Sequence, residues 1–86
     1  MAQCTLLYFA WIREAIGVDS EVFDVPATIS TPAELAAHLG QRSTGYARAF
    51  ADMSRVRCAI DQAVHALDTP FGAPQEIAFF PPVTGG

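Results

Sequence analysis

The last six residues, Pro81-Pro82-Val83-Thr84-Gly85-Gly86, are the stretch best equipped to do chemistry. Two glycines without side chains can thread a narrow channel and let another protein's groups approach the backbone closely. The reactive group there is the α-carboxylate of Gly86. A carboxylate is a poor acyl donor, so a partner must activate it, for instance by adenylation. A chain used in this way carries a group rather than catalysing, as lipoamide and biotin do. The diproline stiffens the exit from whatever precedes it, and six extended residues span roughly 20 Å. A bare terminal Gly-Gly ordinarily frays. Here it follows Phe79-Phe80, an apolar strand end, which argues for a tail with a purpose.

The other reactive residue types point elsewhere. Cys4 and Cys58 are far apart, lack CxxC spacing and sit in apolar runs, which reads as small buried core residues. His38 and His65 also lack ligand spacing, so no metal site is expected. All five basic residues are arginine (Arg13, Arg42, Arg48, Arg55 and Arg57), and there is no lysine. An acidic chain of net charge -4 with scattered arginines is a poor phosphate-backbone binder. Nucleic acid is therefore not an expected partner.

Eighty-six residues suit one domain. The longest apolar run, Leu6 to Ile12, is far shorter than the roughly 20 residues a membrane-spanning helix needs. The first residues carry no basic n-region, so no signal peptide is expected. The expected location is cytoplasmic.

The elements that must hold the tail follow from local pattern. Residues 4-10 read as a strand with both faces covered. Residues 11-16 suit a short helical turn closed by Gly17, and residues 21-25 a strand ended by Pro26. The short connection makes this pair antiparallel. Thr31-Pro32-Ala33-Glu34 is a capping box with proline at the first helical position, in which Glu34 reaches back to the Thr31 amide. Leu35 and Leu39 share the buried face of that helix, and Gly40 stops it. A second short helix is expected over 45-53, with Tyr46 and Phe50 in the core. Residues 56-61 alternate as a strand and turn at Asp61-Gln62 into a further strand over 63-67. Residues 76-80 form the last strand, ended by Pro81-Pro82. The order gives an α+β fold: a mixed sheet of about five strands with one main helix across one face. Residues 1-80 form the domain and 81-86 an extended, flexible tail.

Phe79-Phe80-Pro81-Pro82-Val83-Thr84-Gly85-Gly86 resembles the C-terminal signature of the small, sulfur-carrier subunit family of molybdopterin synthase. Leu7-Tyr8-Phe9-Ala10 with Ile12-Arg13-Glu14 and Gly17 resembles that family's first strand and turn. The Thr31-Glu34 helix start and the Ala59-Ile60-Asp61-Gln62 turn are similar too. The loop Gly72-Ala73-Pro74-Gln75-Glu76 departs from the family's usual acidic Gly-Asp-Glu run, and Asp61 stands where many relatives have asparagine.

The resemblance implies a ubiquitin-like β-grasp fold. It implies that an E1-like adenylyltransferase uses ATP to adenylate Gly86, and that a persulfide donor converts the adenylate to a thiocarboxylate. It also implies a large-subunit partner in a heterotetramer. There the tail delivers sulfur to cyclic pyranopterin monophosphate and builds the molybdopterin dithiolene. Gly86 would be the acyl-carrying residue, and Phe79, Phe80, Pro81, Pro82, Val83, Thr84 and Gly85 would meet the partner. The chain would act as the sulfur-donating subunit of a sulfurtransferase, inactive alone and without a bound cofactor. Phe79 and Phe80 point to opposite sheet faces. One belongs to the core and the other is free to anchor a partner; adjacency to the tail favours Phe80. Two other readings share the Gly-Gly end. One is a sulfur carrier for thiamine or tRNA thiolation, which usually lacks the Phe-Phe-Pro-Pro approach. The other is a ubiquitin-like modifier or interaction module, which protein adducts through Gly86 would reveal.

Overall fold

The computed structural model describes residues 2–82. Strands β1 (Ala2–Tyr8), β2 (Ser20–Val25), β3 (Arg57–Ile60), β4 (Ala63–His65) and β5 (Glu76–Phe80) form one sheet in the order β2-β1-β5-β3-β4. Strand β1 pairs antiparallel with β2 and parallel with β5, while β3 pairs antiparallel with both β4 and β5. The sheet is therefore mixed, with β5 flanked by β1 and β3.

Helix α2 (Pro32–Leu39) is the main helix, and it buries Leu35, Ala36 and Leu39 in the core. The Thr31 hydroxyl accepts from the Glu34 amide at 3.2 Å. The return arm differs from the expected box: Glu34 Oε1 accepts from the Ser30 amide at 2.8 Å and the Ser30 hydroxyl at 3.1 Å. Those bonds hold the Glu34 carboxyl below its ordinary range, Ser30 contributing most. Gly40 ends the helix in a right-handed conformation, φ -60, rather than the left-handed one typical of a glycine stop.

Two further short helices pack together, α1 (Ala10–Ile16) and α3 (Thr44–Ala49), followed by a 3-10 turn over Met53–Arg55. A Cβ at Gly45 would stand 2.5 Å from the Ala15 carbonyl oxygen, so only glycine permits this approach of α3 to α1. Gly17 closes α1 at φ 99 and donates its amide to the Arg13 carbonyl at 2.8 Å.

Strand β1 departs from expectation in two ways. It stops at Tyr8, because Ala10 takes φ 54 and turns the chain into α1. Only one of its faces is sealed: Cys4, Leu6 and Tyr8 are buried, Leu7 is half-buried and Phe9, just past its end, is 46% exposed. Strand β4 is also shorter than the pattern suggested. It ends at His65, and the Leu67 carbonyl instead accepts the Ala33 amide at 2.9 Å.

The β3–β4 hairpin turns on Asp61 (φ 48) and Gln62 (φ 73), the two positive values of a type I′ turn. Asp61 also braces the loop before β5. Its Oδ1 accepts from the Gln75 amide at 2.8 Å and the Glu76 amide at 3.0 Å. Asparagine at this position would offer the same acceptor oxygen.

Candidate functional site

The base of the tail is built by the alternation of β5. Ile77 and Phe79 are fully buried, while Glu76, Ala78 and Phe80 point to the other face. Phe79 stacks on Tyr8 at 6.4 Å between ring centroids, 11° apart in plane, and meets Phe50 edge-on at 5.0 Å. Its carbonyl accepts the Phe9 amide at 3.1 Å. Phe79 thus locks the last core position before the tail. It has no surface to offer a partner, so its place in the partner-facing stretch passes to Phe80. Phe80, Pro81 and Pro82 are half-buried. Val83, Thr84, Gly85 and Gly86 lie outside the described residues.

The outer sheet face beside this exit is apolar. Register aligns Leu7 with Ala78, Ala78 with Ala59 and Ala59 with Val64, a continuous row across β1, β5, β3 and β4. Phe9 and Phe80 stand beside the row and complete a shallow open depression. Val64 is 71% exposed. The alanines form its floor, and the larger side chains stand around them. Helix α2 packs on the inner face, and no described element covers this row.

Opposite the depression, a carboxylate ties the scaffold together. Glu21 Oε2 accepts from the hydroxyls of Tyr8 (2.7 Å) and Tyr46 (2.5 Å), and Oε1 accepts from Arg42 Nη1 at 3.1 Å. The Arg42 guanidinium also lies over the Tyr46 ring at 4.9 Å and the Phe23 ring at 5.7 Å. Burial alone would raise the Glu21 pKa, but its three hydrogen bonds outweigh burial and hold it below the ordinary value. Burial first, and the bond to Glu21 second, push the Tyr8 phenol up, so it stays protonated as a donor. Sequence reading missed this cluster because its members are far apart in the chain, and only the folded path brings them together. It joins β1, β2 and α3 and holds the Tyr8 ring against Phe79.

Neither cysteine can serve as a sulfur nucleophile. Burial, with the Asp61 charge second, pushes the Cys4 thiol up to about 11. Burial raises the Cys58 thiol too, and its Sγ lies 3.2 Å from the His65 carbonyl as a donor. Both are core residues, as their spacing suggested. Among the described residues no cluster of three or more His, Cys, Asp or Glu could hold a metal ion. No described helix is long and apolar enough to cross a membrane.

The geometry defines a small sheet-and-helix domain whose last strand ends at Phe80 beside an apolar face that no described element covers. The chain belongs to the ThiS family, whose model matches residues 6–86. It is 37% identical over 81 residues to the molybdopterin synthase sulfur carrier subunit of Escherichia coli, covering 94% of this chain and 96% of that protein. Identity to the subunit of the same name from Haemophilus influenzae is also 37%, with the same coverage. The fold is the ubiquitin-like β-grasp. It superposes on small archaeal modifier protein 1 of Haloferax volcanii with a TM-score of 0.73 at 24% identity, covering 96% of this chain and 100% of that one. A Pyrococcus furiosus protein assigned as molybdopterin converting factor subunit 1 gives 0.74 at 22% identity, with coverage of 96% and 100%.

Proposed function

We propose that this chain is the sulfur carrier of a molybdopterin synthase. The observation that carries the reading is the 37% identity to two subunits of that name across nearly their whole length. The tail sequence, which follows directly on the end of β5, supports it. An E1-like adenylyltransferase transfers AMP from ATP to the Gly86 carboxylate. The outer sulfur of a protein persulfide then attacks the acyl carbon and AMP leaves, giving an acyl disulfide; a second thiol attacks the donor's sulfur, so that the thiocarboxylate departs and the two thiols are left as a disulfide. The thiocarboxylate sulfur is the better nucleophile, and it is donated to cyclic pyranopterin monophosphate. Two such deliveries complete the dithiolene.

In this account the chain supplies the sulfur and the fit, and the large subunit supplies the substrate pocket. The row from Leu7 to Val64, with Phe9 and Phe80, is the docking face for that subunit. Val83-Thr84-Gly85-Gly86, which follow the stiff Pro81-Pro82 pair, are the segment that enters its pocket. The assembly is a heterotetramer around a large-subunit dimer, working in the cytoplasm. The buried, protonated cysteines favour a terminal carboxyl over a thiol as the sulfur-bearing group.

Deleting Gly86 tests the reading. The truncated chain is expected to keep its circular dichroism spectrum and melting temperature, because the core closes at Phe79. Dithiolene formation with the large subunit, activating enzyme, ATP and sulfur donor should vanish. Undiminished dithiolene formation would overturn the assignment of the tail.

A further inference from the structure

Phe9 stands at a strained junction. The residue after it, Ala10, takes φ 54, a left-handed conformation that an alanine rarely adopts. Such a conformation persists only where the surroundings over-determine it. Phe9 itself is extended, φ -126 and ψ 153, and its ring is 46% exposed beside the apolar row. Its carbonyl is committed to the start of α1, where it accepts from the Ile12 amide at 3.2 Å and the Arg13 amide at 3.4 Å. Relaxing Ala10 to a negative φ would redirect the chain at this point and carry the Phe9 ring off the row.

Three ties hold the end of β1 against that relaxation. The Tyr8 amide donates to the Asp19 carbonyl at 3.0 Å, and the Phe9 amide donates to the Phe79 carbonyl at 3.1 Å. The second bond follows the last register pair of β1 and β5, Tyr8 with Phe79, and the ends of a ladder open most readily. The third tie is a side chain. The Tyr8 ring lies flat against Phe79, and its hydroxyl donates to Glu21 Oε2 at 2.7 Å. Glu21 stands on β2 and is itself fixed by Arg42 and Tyr46. The phenol stays protonated and the carboxylate ionised, so the bond is of the strong, charge-assisted kind. A ring pinned at its tip cannot slide along Phe79, and Tyr8 directly precedes Phe9.

We propose that Glu21 is a positioning residue for the outer face: through the Tyr8 hydroxyl it clamps the end of β1 and so holds the Ala10 junction that presents the Phe9 ring. The inference rests on the docking role proposed above for the row that Phe9 borders. Glu21 lies on the other side of the sheet from that row, and acts on it only through Tyr8 and the backbone of Phe9. A glutamine there offers one acceptor oxygen where the carboxylate offers two, and it carries no charge. A phenylalanine at Tyr8 keeps the ring on Phe79 and removes only the tip bond.

The test compares Glu21→Gln and Tyr8→Phe with the parent and with Ile60→Val, which loosens the core on β3 without touching the clamp. Melting curves confirm that each chain folds. Amide hydrogen exchange of the free chain, read by NMR, sets the Phe9 amide against the Thr5 amide, which donates to the Gln75 carbonyl at 2.9 Å further back along β1. The ratio of the Phe9 to the Thr5 exchange rate is expected to rise about tenfold in Glu21→Gln and Tyr8→Phe, and to stay within about twofold in Ile60→Val. An unchanged ratio in both clamp variants would overturn the inference and leave Glu21 a stability element alone. Large-subunit affinity is then measured in a cycle with Phe9→Ala. Glu21→Gln should weaken binding about fivefold in the parent and less than about twofold in the Phe9→Ala background. Equal weakening in both backgrounds would also overturn it. If Phe9→Ala and Phe80→Ser both bind like the parent, the docking reading fails, whatever the exchange ratio, and the clamp has no partner surface to serve.

Discussion

The two faces of the sheet are made from the same strands and have opposite fates. The inner face carries Cys4, Leu6, Tyr8, Cys58, Ile77 and Phe79, all at most 1% exposed and closed by α2 and α3. The outer face carries an apolar row, Leu7, Ala59, Val64, Ala78 and Phe80, with Glu76 at its margin, and no described element covers it. An ordinary one-sided sheet puts polar residues on its open face. An apolar row that no described element covers, beside the end of β5, is where the proposed docking of the large subunit falls. The contrast narrows to two neighbouring rings: Phe79 holds the fold, and Phe80 faces outward at the root of the tail.

The sharpest way to break this contrast is to remove each of those rings in turn. Phe79→Ala should cost about 3–5 kcal/mol of stability in urea denaturation, because it opens a cavity under Tyr8 and Phe50. Phe80→Ser should leave the melting temperature nearly unchanged but weaken large-subunit binding by about 2 kcal/mol or more by calorimetry, as a central aromatic anchor does. A Phe80 variant that unfolds, or binds like the parent, would dissolve the contrast.

Glu21→Gln sharpens the inner side. It removes the charge from hydrogen bonds to Tyr8, Tyr46 and Arg42, and charged hydrogen bonds contribute about 1.5–3 kcal/mol each at most in such settings. Glu21 has a lowered folded pKa. Its contribution is therefore present above the ordinary carboxylate pKa and fades as pH falls through the lowered value. The parent should lose stability on acidification across that window, and the Gln variant should show a shallower acid limb in melting temperature against pH. The smallest effect belongs to Val64→Ser at the sheet edge. Stability should shift within about 0.5 kcal/mol, with a modest loss of partner affinity in the same titration.

How far the fold could be read from sequence also differs between the regions. Strand β5 and the start of α2 were plain, because Phe79-Phe80-Pro81-Pro82 and Thr31-Pro32-Ala33-Glu34 carry their own stop and start signals. The end of β1 was not. Leu6 to Ile12 is apolar throughout, and the junction falls at Ala10, φ 54, without a glycine or proline to announce it. That same continuous run suggested a strand covered on both faces, and the exposed Phe9 shows where the inference failed. Apolar character was read as burial within the chain, whereas no described element covers the outer residues of this run. The Glu21 cluster was invisible for a different reason: Tyr8, Arg42 and Tyr46 meet it only after β2 pairs with β1 and α3 docks. The chemistry proposed for the tail, in contrast, is read from contiguous residues alone, the Phe79-Phe80-Pro81-Pro82 approach followed by two glycines and a carboxylate.

The most direct measurement is the intact mass of the full-length chain after incubation with its adenylating enzyme, ATP and a persulfide donor. The account predicts a gain equal to one oxygen replaced by sulfur, mapped to Gly86, and lost again when the large subunit and cyclic pyranopterin monophosphate are added. An unchanged mass with an enzyme shown to activate a known carrier, or sulfur mapped to Cys4 or Cys58 instead, would contradict it.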